Sequence, residues 1–176
     1  MSWQGLPGPA SHIPMTETPI DLDTWPRAAH YRLFRSFAQP HFSITARLDV
    51  THLMTELKPR GVSPFRACLF AIAAGIHAVP ELRTRFRADG SVVRHDRLIL
   101  GPTIALDGGG FGFGYIPFDP DWPRFDTVAR DEVSAVRGGA TRGANDGEGN
   151  HFIYLTCVPL IDFTSLTHAM PGPDDC

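Results

Sequence analysis

Between Ser63 and Pro80 the chain reads Ser-Pro-Phe-Arg-Ala-Cys-Leu-Phe-Ala-Ile-Ala-Ala-Gly-Ile-His-Ala-Val-Pro, and few folds can absorb such a segment. Ser63 is a good N-cap, and Pro64 suits the first helical turn, where its missing N–H costs nothing. Phe65, Leu69, Ile72 and Ile76 recur at helical spacing, and Pro80 ends the pattern. The spacing predicts a helix over residues 64–78. Its alanines and Gly75 leave a surface small enough to lie close against a sheet. Cys68 falls inside the run and reads as a small buried hydrophobe.

Strand and helix patterns alternate around this segment. From His41 to Val50, the apolar Phe42, Ile44, Ala46, Leu48 and Val50 alternate with Ser43, Thr45, Arg47 and Asp49, the pattern of a half-buried strand. A short helix over 51–58 follows. Asp89-Gly90 marks a hairpin within 86–93, and 97–106 reads as another strand. The run Gly108–Gly114 is neither a P-loop nor GxGxxG, so a flexible turn between strands is expected rather than a phosphate site. A helix is expected over 119–137 with Asp119 as its cap, then a long loop over 138–150. Residues 152–163 read as a buried strand running into an extended segment. Upstream, Thr24 to Ser36 is helical in pattern, with Thr24 as cap and Pro26 in the first turn, and residues 1–22 read as a loose arm. The expectation is one domain over 23–176, an α/β fold with a mixed sheet covered by helices.

Composition narrows the classes further. A net charge of −3 lacks the concentrated basic surface that nucleic acid requires. No run approaches the ~20 apolar residues of a membrane span, and the first residues lack the basic and apolar regions of a signal peptide. Cys68, Cys157 and Cys176 form no CxxC pair, which points to a reducing, cytoplasmic setting. The histidines show no HExxH or other metal-ligand spacing, so no metal is expected. His95-Asp96 reads as a polar pair after the hairpin. No GxSxG elbow is present.

Several short blocks carry more. Trp25-Pro26-Arg27-Ala28-Ala29-His30-Tyr31 resembles the W-x-R-x-x-H-[FY] opening of the chloramphenicol acetyltransferases. Leu48-Asp49-Val50-Thr51 is similar to their LDIT. Ser63-Pro64-Phe65 and the helix closing in Pro80-Glu81-Leu82-Arg83 resemble their long helix ending in HPEFR. Asp89-Gly90 and Asp96 match later positions, and Pro159-Leu160-Ile161-Asp162-Phe163-Thr164-Ser165 looks like their P-W-[VI]-S-F-T-S. The blocks occur in order, from about residue 20 onward.

The resemblance implies a two-layer α/β sandwich and an acyl transfer. In such a reaction a histidine takes the proton of an acceptor hydroxyl. The freed oxygen attacks the thioester carbon of the co-substrate acetyl-CoA, and a side-chain hydroxyl donates to the resulting oxyanion. Carried over position by position, the hydroxyl falls on Thr156, for which the alternative is a threonine that simply faces a neighbouring strand, and the arginine that steadies the catalytic loop falls on Arg27. The acceptor wall falls on Leu33, Phe34, Phe42 and Leu166. His168 stands where an apolar pocket residue is usual, and reads either as part of the pocket or as a surface residue; Phe111 and Phe113, in a loop that aligns poorly with the family, are further candidates for the wall. The implied partners are a small hydroxylated acceptor such as chloramphenicol and, for the complete protein, two further copies in a trimer with sites between subunits.

The family's histidine motif, HHxxxDG, occurs nowhere in these residues. The resemblance therefore implies a chain that stops short of that motif and of the closing strands, with little transfer activity by itself. The alternative is a catalytically inactive module of the same fold that binds a small ligand or CoA.

Overall fold

The computed structural model describes residues 15–140 and 150–166. Its elements, in chain order, are β1 (Glu17–Pro19), α1 (Ala28–Arg35), α2 (Pro64–Ala78), β2 (Thr84–Phe86), β3 (Val92–His95), β4 (Ile99–Ala105), β5 (Phe111–Phe113), β6 (Ile116–Pro117), α3 (Trp122–Arg137) and β7 (Phe152–Leu155). A π-type turn at Leu53–Leu57 and 3-10 turns at Lys58–Arg60 and Pro80–Arg83 flank α2.

The strands form two sheets. In the first, β3 lies between β1 and β2, antiparallel to both. In the second, β4 is central. β5 and β6 run along one edge of it in a single antiparallel register, Thr103 opposite Phe113 and Ile99 opposite Pro117. β7 is parallel to β4. Helices α2 and α3 cover one face of this second sheet, where Leu69, Ala73, Leu100, Ile116, Phe125 and Ala129 form the buried centre. Ile153 and Leu155 of β7 pack against that centre. The two helices are locked together by Arg66 and Asp126, 2.6 Å apart and largely shielded from solvent.

A proline inside β4 interrupts the ladder. Pro102 has no N–H to offer, although its carbonyl still accepts from Gly114 N–H at 3.1 Å. The next residue along, Tyr115, directs its N–H away from β4. The carboxylate of Glu132 on α3 accepts it at 2.8 Å, and Glu132 is only 6% exposed. A buried acid on a helix thus satisfies a strand donor that no neighbouring strand reaches.

Two side chains tie the sheets to each other. Arg85 of β2, largely buried and lowered in pKa by that burial, donates to the carbonyls of Asn150 (2.8 Å) and Phe152 (3.3 Å) at the start of β7. His95 of β3 is buried, and its Nε2 lies 2.8 Å from Asn150 Oδ1. His77 joins α2 to β4. Its Nδ1 is 2.7 Å from the Ala73 carbonyl, and its Nε2 accepts the Leu98 N–H at 3.2 Å. A carbonyl only accepts and an amide N–H only donates, so this imidazole is neutral with its proton on Nδ1.

Helix α2 matches its expected span, with Ser63 accepting from Arg66 N–H, and Gly90 turns the β2–β3 hairpin at φ 88°. Gly109 and Gly110 turn the β4–β5 hairpin with positive φ. Four expectations need correction. Helix α1 begins at Ala28 rather than at Thr24, whose hydroxyl bonds back to Asp21. Asp121, not Asp119, caps α3; Asp119 instead accepts the Asp121 N–H and shapes the turn before it. Cys68 faces solvent, because the α2 stripe that meets the sheet runs through Leu69 and Ala73. The alternating segment 42–50 is not a strand. No described strand pairs with it, and Phe42, Ile44 and Leu48 are more than 80% exposed. Within the segment read as an arm, residues 17–19 form β1, which Asp96 steadies by accepting Thr16 N–H. No single helix among the described residues is long and apolar enough to cross a membrane.

Two outcomes follow from the buried polar groups. Glu132→Ala removes the acceptor that the Tyr115 N–H bonds at 2.8 Å and should lower stability by about 1–3 kcal/mol; Glu132→Gln, which keeps an acceptor oxygen, should lose less, and urea midpoints check both. Burial depresses the His77 pKa, with Arg83 and Arg97 acting the same way against the Ala73 bond and Asp96. Burial, His95 and Arg85 lower His151 likewise. Their unfolded values lie at about 6.5. The unfolded chain therefore binds more protons as pH falls below about 6.5. Stability from these groups is complete above that pH and is lost as pH drops through the lowered folded values. A urea midpoint that falls from pH 7.5 to 5.0, and falls less in His77→Gln, is the expected result.

Candidate functional site

Residues alternate between the faces of a strand, so the second sheet has a face that the helices do not cover. Gly101, Thr103 and Ala105 of β4 stand on it, with Phe111 and Phe113 of β5 and Phe152 and Tyr154 of β7. Thr156, just past the end of β7, continues the same alternation. Its hydroxyl lies 2.6 Å from the Thr103 hydroxyl, which extends the pairing of Pro102 with Leu155 by one residue. One of the two donates to the other. When Thr103 donates, the Thr156 proton is left to point off the sheet.

Aromatic rings flank this hydroxyl pair. Phe111 and Phe113 meet edge to face at 5.9 Å, Phe113 and Tyr154 at 6.2 Å, and Tyr154 is roughly parallel to Phe152 at 6.3 Å. Gly101 makes room for this arrangement. A Cβ there would stand 3.1 Å from Tyr154 Cδ1, so the Tyr154 ring rests on bare backbone. Phe111 is 63% exposed and Tyr154 44%, while Phe113 and Thr103 are half-buried. The face therefore offers apolar rings beside a hydroxyl donor.

The other residues singled out from the sequence stand elsewhere. Arg27 is the residue before α1, and its guanidinium lies 3.4 Å from Glu81 in the turn after α2, both side chains well exposed. Arg27 and Thr156 are thus each bonded to a different neighbour. Helix α1 is fastened to the β2–β3 hairpin by Tyr31, whose hydroxyl donates to Gly90 O, and by Arg35, which donates to Tyr31 Oη and Ala88 O. Leu33 and Phe34 are left half open to solvent, the latter edge-on to Phe37. Phe42 is exposed on the irregular segment after α1, and Leu166 is half exposed at the end of the described chain. His168 lies outside the described residues.

A shallow groove of about 340 Å³ separates residues 45–47 from 161–164, bridged by Arg47 and Asp162 at 3.6 Å. It brings the two blocks on either side of the sheet's sequence together, but holds no strongly buried polar group. Among the described residues no cluster of His, Cys, Asp and Glu has the makings of a metal site.

Thr103, Gly101 and Tyr154 had no place among the sequence candidates. Nothing in their local sequence marks them, because their roles depend on the parallel register of β4 and β7.

Comparison with known proteins accords with this architecture. The family model described as chloramphenicol acetyltransferase matches residues 15–175. Chloramphenicol acetyltransferase 2 of Escherichia coli is 32% identical over 83 residues, covering 47% of this chain and 38% of that protein. The chloramphenicol acetyltransferase of Clostridium perfringens is 22% identical over 146 residues, 82% of this chain and 67% of that protein. That of Streptomyces acrimycini is 29% identical over 159 residues, 86% and 70% respectively. A solved chloramphenicol acetyltransferase superposes with a TM-score of 0.81 at 26% identity, over 90% of this chain and 77% of that one. The chain thus spans between 38% and 70% of the length of these three relatives.

The Thr103–Thr156 bond can be weighed directly. A double-mutant cycle of Thr103→Val and Thr156→Val, read from urea midpoints, should give a coupling of about 0.5–1 kcal/mol. Additive single effects would show that the two hydroxyls do not hold each other in solution.

Proposed function

Given that the chain belongs to the chloramphenicol acetyltransferase family, we propose that it supplies the acceptor side of a site that transfers acetyl from acetyl-CoA to the hydroxyl of a small acceptor such as chloramphenicol. The observation that carries this reading is the Thr156 hydroxyl. It stands on an uncovered sheet face, at the position where the resemblance puts the oxyanion donor, with Thr103 2.6 Å away to orient it.

The division of labour follows from that placement. An oxyanion that develops on the thioester carbonyl needs a donor already aimed at it, because a fixed donor costs no reorganisation during the reaction. Thr156, bonded to Thr103, meets this need. Phe111 and Phe113, with Leu33, Phe34, Phe42, Leu166 and His168 from the wall positions of the resemblance, would exclude water from the acceptor. Arg27 pairs with Glu81 and Thr156 with Thr103, so neither occupies the other. In sites shared between copies of a trimer, Arg27 of one copy would serve the base side and Thr156 of the next the acceptor side.

No residue of this chain matches the general base of HHxxxDG. Without a group to take the acceptor's proton, a loss of ~10²–10⁴ in rate is expected from that cause alone. We therefore expect these residues, taken by themselves, to bind the acceptor and to leave acetyl transfer near background.

Both halves are measurable on the full chain. Calorimetry should detect chloramphenicol binding, while CoA release from acetyl-CoA, followed with a thiol reagent, stays near the uncatalysed rate. Turnover comparable to that of a complete relative would refute the missing base. Failure to bind chloramphenicol would refute the acceptor-site reading.

A further inference from the structure

We propose that Cys68 and Cys157 are an oxidisable pair that closes as a disulfide between α2 and the end of β7. The pair lies on the helix-covered side of the second sheet, and the inference does not depend on the reading of Thr156.

The first ground is that the two cysteines stand at nearly the same level of the fold. Helix α2 runs antiparallel to β4. His77, near the end of α2, accepts from Leu98 N–H just before β4, and Phe65, in the first turn, packs against the cluster of Ile104, Val133 and Val136 at the far end. Cys68 follows Phe65 by three residues, about 4.5 Å along the helix axis. β7 runs parallel to β4 with Leu155 opposite Pro102, and the Thr103–Thr156 bond carries that register on. Cys157 is therefore level with Ile104, beside the first turns of α2.

The second ground is the side on which each cysteine stands. Arg66 and Phe70 face α3, where they meet Asp126, Trp122 and Phe125. Cys68 lies midway between them in sequence, which at 3.6 residues per turn puts it on the opposite side of the helix. α3 packs on β4, β5 and β6, so that opposite side of α2 lies toward β7. Along β7, Leu155 points to the helices and Thr156 to the uncovered face, and the alternation returns Cys157 to the helices. Both cysteines are exposed. Burial raises the Cys68 pKa, and the charge of a Cys157 thiolate raises it further, an effect that near neighbours exert.

A small-molecule disulfide of the glutathione type supplies the oxidation. One protein thiolate attacks a sulfur of that disulfide, forms a mixed disulfide and expels one small thiolate. The second protein thiolate attacks the protein sulfur of the mixed disulfide, closes the Cys68–Cys157 bond and expels the other. Two protein thiols are oxidised, one small disulfide is reduced to two thiols, and the protein's two protons pass to the expelled thiolates. Arg85 and His95 fasten the start of β7; the bridge fastens its end.

The test uses the full chain carrying Cys176→Ser, so that Cys68 and Cys157 are the remaining cysteines. It is equilibrated with mixtures of reduced and oxidised glutathione, once in buffer and once unfolded in urea, then quenched by alkylation and read by intact mass and peptide mapping. A bridge that the fold favours is favoured over the unfolded chain by at least about tenfold in equilibrium constant, since native disulfides typically stabilise by more than that factor. The expected result is a bridge joining the peptides that contain Cys68 and Cys157, formed in buffer at glutathione ratios that leave the unfolded chain reduced. With Cys68→Ser or Cys157→Ser added, one bound glutathione and no bridge are expected. A native chain that carries two glutathiones unbridged, that links to a second copy instead, or that bridges no more readily than in urea would overturn the inference. None of these outcomes bears on chloramphenicol binding, so the proposed function stands or falls separately.

Discussion

Strand β4 is held on both edges and pressed on one face, and the rest of the molecule is arranged around it. β5 and β6 bind one edge and β7 the other, while α2 and α3 cover the side that carries Leu100 and Ile104. Three consecutive residues in its middle then set the character of the uncovered side. Gly101 leaves a bare patch for the Tyr154 ring, Pro102 withholds a ladder hydrogen bond, and Thr103 meets the hydroxyl of Thr156. A strand fixed in this way turns neighbouring side chains into a site, because their spacing is set by the register and not by their own flexibility.

The uncovered face is only as firm as the attachment of β7. A parallel strand at an edge, preceded by a long glycine-rich segment, has little local sequence to hold it. Arg85 and His95 supply the attachment by binding Asn150 and the carbonyl of Phe152. The first sheet therefore positions the second, and a side chain remote from Thr156 affects the hydroxyl through the start of its strand. His77 plays the matching part on β4, as a neutral imidazole between α2 and Leu98.

What could be read from the sequence was what local chemistry decides. Ser63-Pro64 and Pro80 bound α2, and Asp89-Gly90 turned the β2–β3 hairpin, because caps, prolines and left-handed glycines act within a few residues. The segment 42–50 shows the limit of that reasoning. Its alternation is that of a strand, but a strand also needs a neighbour, and residues such as Phe42 and Leu48 stay open to solvent without one. Glu132 shows the reverse case. It follows Arg130 and Asp131 on α3, and nothing local singles it out, yet it accepts the N–H of Tyr115, 17 positions away, and is buried. On the uncovered face, Thr156 could be reached through the family resemblance, whereas Thr103 and Tyr154 become visible only when β4 and β7 are laid side by side.

Membership of the family fixes the fold, and the proposed function puts the acceptor on the face that carries Thr103, Thr156 and the aromatic row. Chemical-shift mapping of the labelled chain during titration with chloramphenicol tests that location most directly. The account predicts the largest changes at Gly101, Thr103, Phe111, Phe113, Tyr154 and Thr156, with α2 and α3 little affected. Saturable changes centred instead on the helical face, or on the hairpin beside Arg35, would contradict it.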